Sequence, residues 1–240
     1  LYSRPDLRTS ADIDILVAPG DARKAYDTLL GAGYRSAGDW AALQAINANE
    51  IELVTPWGTN VDLHWQLLYD GLFGGFGLDT EEILANRRTV PIGGQPVPTL
   101  DAVDTLIHIA MHAGFDGGTR LVWLKDIEQC ILREPPAWDQ VIARASEWRV
   151  GPVLAIMLMR AHRFLGVPLP DGLTQQLCPS RMWLRLERWA ERVSPVPRLL
   201  YGPSLSRIVA RASRTSVASS ASSLARKLGL GLKYRVQGRA

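Results

Sequence analysis

Two short segments carry the side chains best suited to chemistry. Residues 10–21 read SADIDILVAPGD and set Asp12 and Asp14 two positions apart among isoleucine, leucine and valine; residues 61–65 read VDLHW and set Asp62 two positions before His64. Strand residues alternate faces, so Asp12 and Asp14 project from one side of a strand, with Ile13, Ile15 and Val17 on the other. The second segment repeats the device: Asp62 and His64 share one face, and Val61, Leu63 and Trp65 the other. Aspartate is disfavoured in strands, and an ionised carboxylate near a core needs its charge compensated. If the two strands are neighbours in one sheet, three carboxylates converge, and protonation or bound cations must relieve their repulsion. Oxygen ligands at this density suit Mg²⁺ or Mn²⁺. Two such ions roughly 3.5–4 Å apart can clamp the attacking and leaving oxygens of a phosphoryl displacement. A lone D-x-D is more often a plain polar strand face. The second acid-bearing strand moves the balance to a metal site.

The elements that must position these residues follow from the pattern around them. DIDILV at 12–17 reads as a strand, APGD turns the chain, and Asp21 can cap a helix over about 22–32. NEIELVT and NVDLHWQL flank PWGTN as two antiparallel strands around a tight turn. The glycine-rich GLFGGFG lacks the Gly-Lys-Ser/Thr ending of a P-loop and reads as a mobile loop over the site, leading to a short helix from Asp79 or Thr80. TVPIGGQPVPTL is a hairpin with Gly93-Gly94 at its tip. From residue 100 the apolar period changes from about two to about 3.6, giving helices across 100–133, 138–149, 151–166 and 180–193. SRTSVASSASS at 213–223 reads as a flexible or weakly helical connector. The expected fold class is α+β: a small mixed sheet with flanking helices, then a helical C-terminal half. The expected division is 1–98, 99–175 and 176–240.

With 240 residues, 47% of them hydrophobic, the chain can bury one large or two small cores. It contains no apolar run of about 18 residues, so no membrane span is expected. The two cysteines are too few for a disulfide framework; Cys130 reads as a buried thiol, and a reducing cytoplasm is the expected setting. The formal charge of +3 hides an asymmetry. Residues 1–175 hold 14 Lys/Arg against 22 Asp/Glu, a net −8, while residues 176–240 hold 13 against 2, a net +11. Arg181, Arg185, Arg188 and Arg192 recur at helical spacing beside Met182, Leu186, Trp189 and Val193. That pattern predicts an amphipathic helix packed by its apolar stripe and showing arginine to solvent. The basic tail either docks on the acidic body or meets an anionic partner, RNA or a lipid surface.

The sequence resembles the DNA polymerase β-like nucleotidyltransferase superfamily, and more closely its uncharacterised bacterial members, over roughly residues 1–170. The matching pieces are Leu1-Tyr2, Arg8, Asp12-Ile13-Asp14, Asp62-Leu63-His64-Trp65, His112 and Trp123-Leu124-Lys125-Asp126-Ile127. The resemblance implies metal-dependent transfer of a nucleoside monophosphate from an NTP to a hydroxyl acceptor: a small molecule, a peptide or protein side chain, or an RNA end. It implies that Asp12 and Asp14 hold the ion that binds the triphosphate, and that Asp62 holds a second ion and helps deprotonate the acceptor. Arg8 and Ser10 could touch phosphates, His64 could contact nucleotide or steady a carboxylate, and His112 could line the cleft. Arg120 and Lys125 could reach triphosphate oxygens, although exposed helical cations usually do nothing specific. His108, four residues before His112, reads as structural, and no third ligand in sequence supports a zinc site. Trp65 reads as core. The superfamily's small-residue phosphate motif has no match in residues 1–11, and the expectation is that a segment preceding Leu1 is missing. A non-catalytic descendant that binds nucleotide or a partner, and a toxin- or antitoxin-type transferase acting on tRNA or protein, stay open as alternatives.

Overall fold

The computed structural model describes residues 2–4, 7–36, 38–41, 48–67, 76–118, 120–193, 209 and 213. Most of the glycine-rich loop, Thr119, the serine-rich connector beyond Ser213, and the chain's last residues lie outside them. The fold is α+β, and the chain divides into two compact units, Tyr2–Asp101 and the residues from Ala102 onward.

In the first unit, β1 (Asp12–Leu16) is followed by a 3₁₀ turn at Pro19–Asp21, α1 (Ala22–Gly31), β2 (Arg35–Ser36), β3 (Glu50–Val54) and β4 (Asn60–His64). The sheet order is β1-β4-β3-β2; β4 lies parallel to β1 and antiparallel to β3. A parallel neighbour needs a crossover connection, and α1 with β2 and β3 supplies it. The inward face carries Ile51, Leu53, Val61 and Leu63, which pack with Ala22, Tyr26 and Trp40. Ile15, Val17 and Trp65 join that core partly buried, and Trp40 lies with its ring 5.3 Å from Tyr26 and 5.2 Å from Trp65. Ile13 departs from expectation: β1 is an edge strand, and this side chain is 51% exposed. Asp21 makes no capping hydrogen bond, because it closes the 3₁₀ turn instead. Asp79 does cap α2 (Thr80–Ala85), accepting from the Glu81 N–H at 2.9 Å. The hairpin β5 (Arg88–Ile92) and β6 (Gln95–Thr99) turns through Gly93 and Gly94, both at positive φ, the conformation a two-residue hairpin turn requires.

The second unit is helical: α3 (Ala102–Phe115), α4 (Leu121–Arg133), α5 (Trp138–Glu147), α6 (Gly151–Leu165), α7 (Leu173–Leu177) and α8 (Met182–Val193). The helices across 100–133 are parted by a turn at Gly117-Gly118, as the two glycines suggest, and tertiary packing crowds it. Gly118, at φ +59, lies against Arg160 and Met157 of α6, where a Cβ would collide with both. Arg160 is fully buried and donates to Gly117 O and to Glu187 of α8, each at 2.9 Å. Arg144 of α5 likewise reaches the buried Asp104 of α3 at 2.9 Å. Cys130 and Cys178 are buried, and neither is in a disulfide.

The helix α8 packs by a different face from the one its sequence suggests. Trp183, Leu184, Glu187 and Ala190 are buried, while Met182, Leu186, Trp189 and Val193 are exposed. Reading Glu187 as a solvent residue rotates the helix wrongly. Its pairing with Arg160 turns that face inward and carries the apolar stripe outward.

Candidate active site

The parallel register of β1 and β4 decides the geometry. Asp14 lies directly beside Asp62, Asp12 beside Asn60, and Leu16 beside His64. Register fixes which side chains share a face, so Asp12, Asp14 and Asp62 all stand on the sheet face opposite the core. The antiparallel partner β3 adds Glu52 beside Asp62 and Glu50 beside His64. Sequence reading missed these two glutamates. The signal was the E-x-E alternation in NEIELVT, the same device as D-x-D on the adjacent strand.

Asp14, Asp62 and His64 each place a ligand atom within 4.8 Å of the others, a group that could hold a metal ion. Among the described residues no other such group occurs, and His108 and His112 belong to none. Asp12 sits one register step from the cluster, close enough for its charge to act on Asp62. His64 Nε2 lies 3.0 Å from Asp14 Oδ1, and Nδ1 lies 3.0 Å from Glu50 Oε2, out of line for a good hydrogen bond. The ring is only 15% exposed, whereas Asp14 is 62% exposed.

Electrostatics follow from this packing. Burial, the largest influence on His64, disfavours its charged form, but the close carboxylates of Asp14 and Glu50 outweigh it and push the imidazole up to about 9. At neutral pH the ring is an imidazolium wedged between carboxylates. Burial also raises the Asp62 carboxyl above its ordinary value, helped by the charges of Asp14, Asp12 and Glu50 and opposed by that of His64. Several acids therefore share this face with the His64 imidazole. A divalent ion fits such a donor set of carboxylate oxygens with an imidazole beside them.

The other expected site residues are placed as follows. Ser10 Oγ donates to the backbone oxygen of Asp12 at 2.7 Å, and Arg8 donates to Thr9 O, so both shape the entry to β1. His112, Arg120 and Lys125 belong to the helical unit. The exposed His112 ring meets Trp123 edge-on at 5.7 Å, and the Arg120 guanidinium lies 5.4 Å from the same ring. Lys125 pairs with Glu128 one turn on, which holds that carboxyl low against the opposing effect of its burial.

The model of an uncharacterised nucleotidyltransferase family matches residues 1–166, which spans both the acid-bearing sheet and the first four helices of the helical unit. No curated protein and no solved structure matches the chain.

Proposed function

The chain belongs to the uncharacterised nucleotidyltransferase family, and from that premise we propose that it transfers a nucleoside monophosphate from an NTP to a hydroxyl acceptor with the help of Mg²⁺ or Mn²⁺. The observation that carries the proposal is the adjacency of Asp14 and Asp62 on parallel strands, with His64 in the same cluster. Asp12, Asp14 and Asp62 are the residues that would hold the metal. A bound divalent ion would supply charge neutralisation for the triphosphate and polarise the reacting oxygens.

The chain's own part is positioning and proton handling. The acceptor oxygen attacks the α-phosphorus, the bond from that phosphorus to the bridging oxygen breaks, and pyrophosphate leaves with the electron pair. Asp62 is suited to take the acceptor's proton, because its burial and acidic neighbours make it a stronger base than an ordinary aspartate. His64, held between Asp14 and Glu50, fixes the Asp14 carboxylate and limits the cluster's self-repulsion. Little covalent chemistry is asked of the protein, since such transfers depend on orientation and charge stabilisation. The transfer chemistry is assigned to the sheet face alone.

The test is incubation of the protein with each α-labelled NTP, Mg²⁺ or Mn²⁺, and cell extract as a source of acceptor. Label transfer is expected to fall by at least about 100-fold in Asp14→Asn and in Asp62→Asn, the loss typical of removing one preorganised electrostatic group. Undiminished transfer in both variants rejects the assignment.

A further inference from the structure

The helix α8 carries an exposed surface that is both apolar and basic. Met182, Leu186, Trp189 and Val193 follow one another at intervals of four, three and four residues and form a continuous stripe. Trp189 is 55% exposed and Val193 59%. Arg181, Arg185, Arg188 and Arg192 repeat the same intervals one residue earlier and are exposed as well. Both acidic residues of the segment 176–240 are Glu187 and Glu191, and both turn inward. Glu187 pairs with Arg160 at 2.9 Å, and Glu191 pairs with Arg163 at 3.4 Å. The outward face of α8 therefore offers hydrocarbon, one indole and guanidinium groups, with no carboxylate among them.

We propose that this face of α8 is a docking surface for an anionic phospholipid bilayer, on which the helix lies in the plane of the interface. A helix with an apolar stripe bordered by cations satisfies both halves of that interface at once: the stripe enters the acyl boundary and the arginines meet phosphate. An exposed tryptophan is the side chain best matched to the boundary itself. The competing occupants fit less well. Residues 194–240 contain no Asp or Glu, so the chain's own tail has no charge to set against the arginines. The same face of a second copy would oppose arginine to arginine. RNA would answer the arginines but leave Met182, Leu186 and Val193 without a partner. The proposal is independent of the transfer reading.

The test uses the full chain and two kinds of sedimentable vesicle, phosphatidylcholine alone and phosphatidylcholine mixed with phosphatidylglycerol. Co-sedimentation is expected to be about tenfold greater on the anionic vesicles, and to weaken as salt is raised, because surface charge attraction is screened. Leu186→Ser with Trp189→Ser, both at exposed positions, is expected to lower it by about tenfold, and Arg185→Gln with Arg188→Gln to remove the preference for anionic lipid; circular dichroism checks that each variant keeps its helix content. Three results overturn the proposal. Equal binding to both vesicles or to neither is one. Anionic binding unchanged by the Leu186/Trp189 variant is the second, since it assigns the attraction to the other tail cations. A chain that is dimeric without vesicles and monomeric in that variant is the third, since it makes the stripe an interface between copies; displacement from vesicles by RNA that the variant still binds equally counts with the second.

Discussion

The helical unit and the acid face of the sheet treat charge in opposite ways. Among the helices, Arg160 meets Glu187 and Arg144 meets Asp104, each at 2.9 Å, with both carboxylates fully buried. On the sheet, Asp12, Asp14, Asp62, Glu50 and Glu52 share one face, and His64 sits between Asp14 and Glu50. A buried pair holds two elements in one relative position. An acid face does nothing comparable for the fold, and under the proposed function it is the place where a cation would bind. Under the proposed function, the difference separates residues kept for structure from residues kept for chemistry.

Breaking the structural side of the comparison has the largest effect. Glu187→Gln leaves Arg160 buried beside a neutral group, and unfolding in urea is expected to show a loss of about 3–5 kcal/mol. The double replacement Arg160→Met with Glu187→Leu is expected to recover much of it, because it removes both desolvated charges together.

His64 gives an intermediate effect that is confined to a pH window. Its pKa rises from 6.5 to about 9 on folding, so its contribution is complete below the unfolded value and is lost as pH rises through about 9. Relative to His64→Gln, the native chain is expected to lose about 1–2 kcal/mol between roughly pH 6 and pH 10. That is less than the full shift would give, because Asp14 and Glu50 are open to solvent. Urea midpoints across the window measure the loss, and a flat difference between the two proteins rejects it.

The smallest effect has the opposite sign. Asp62→Asn removes one like charge from the sheet face, and thermal unfolding is expected to show a gain of up to about 1 kcal/mol, since functional clusters are commonly unfavourable to stability. Under the proposed function Mg²⁺ or Mn²⁺ stabilises the native chain, and that stabilisation should shrink in the same variant. A destabilised variant with an unchanged metal response would put Asp62 on the structural side.

Much of the site was legible because strand alternation is a local property. D-x-D and V-D-L-H-W each fixed which side chains leave the same face, whatever the rest of the chain does. The E-x-E of β3 carried the same signal but became meaningful only when the register set Glu52 beside Asp62 and Glu50 beside His64. The hairpin tip at Gly93-Gly94 was legible for the same local reason. The orientation of α8 was not: its helical period admits two apolar faces, and the choice depended on a guanidinium 27 residues earlier in the chain.

By itself, then, the sequence determined most of the elements, the side of each strand that is apolar, and the presence of two acid-bearing strands, because backbone geometry imposes those periods locally. Only the tertiary structure decided that β1 and β4 are parallel neighbours in a register that puts Asp14 against Asp62, and that Glu187 rather than the Trp189 stripe faces the helical core. Both decisions depend on pairing between distant segments, where the free energy belongs to the contact and neither segment carries it alone.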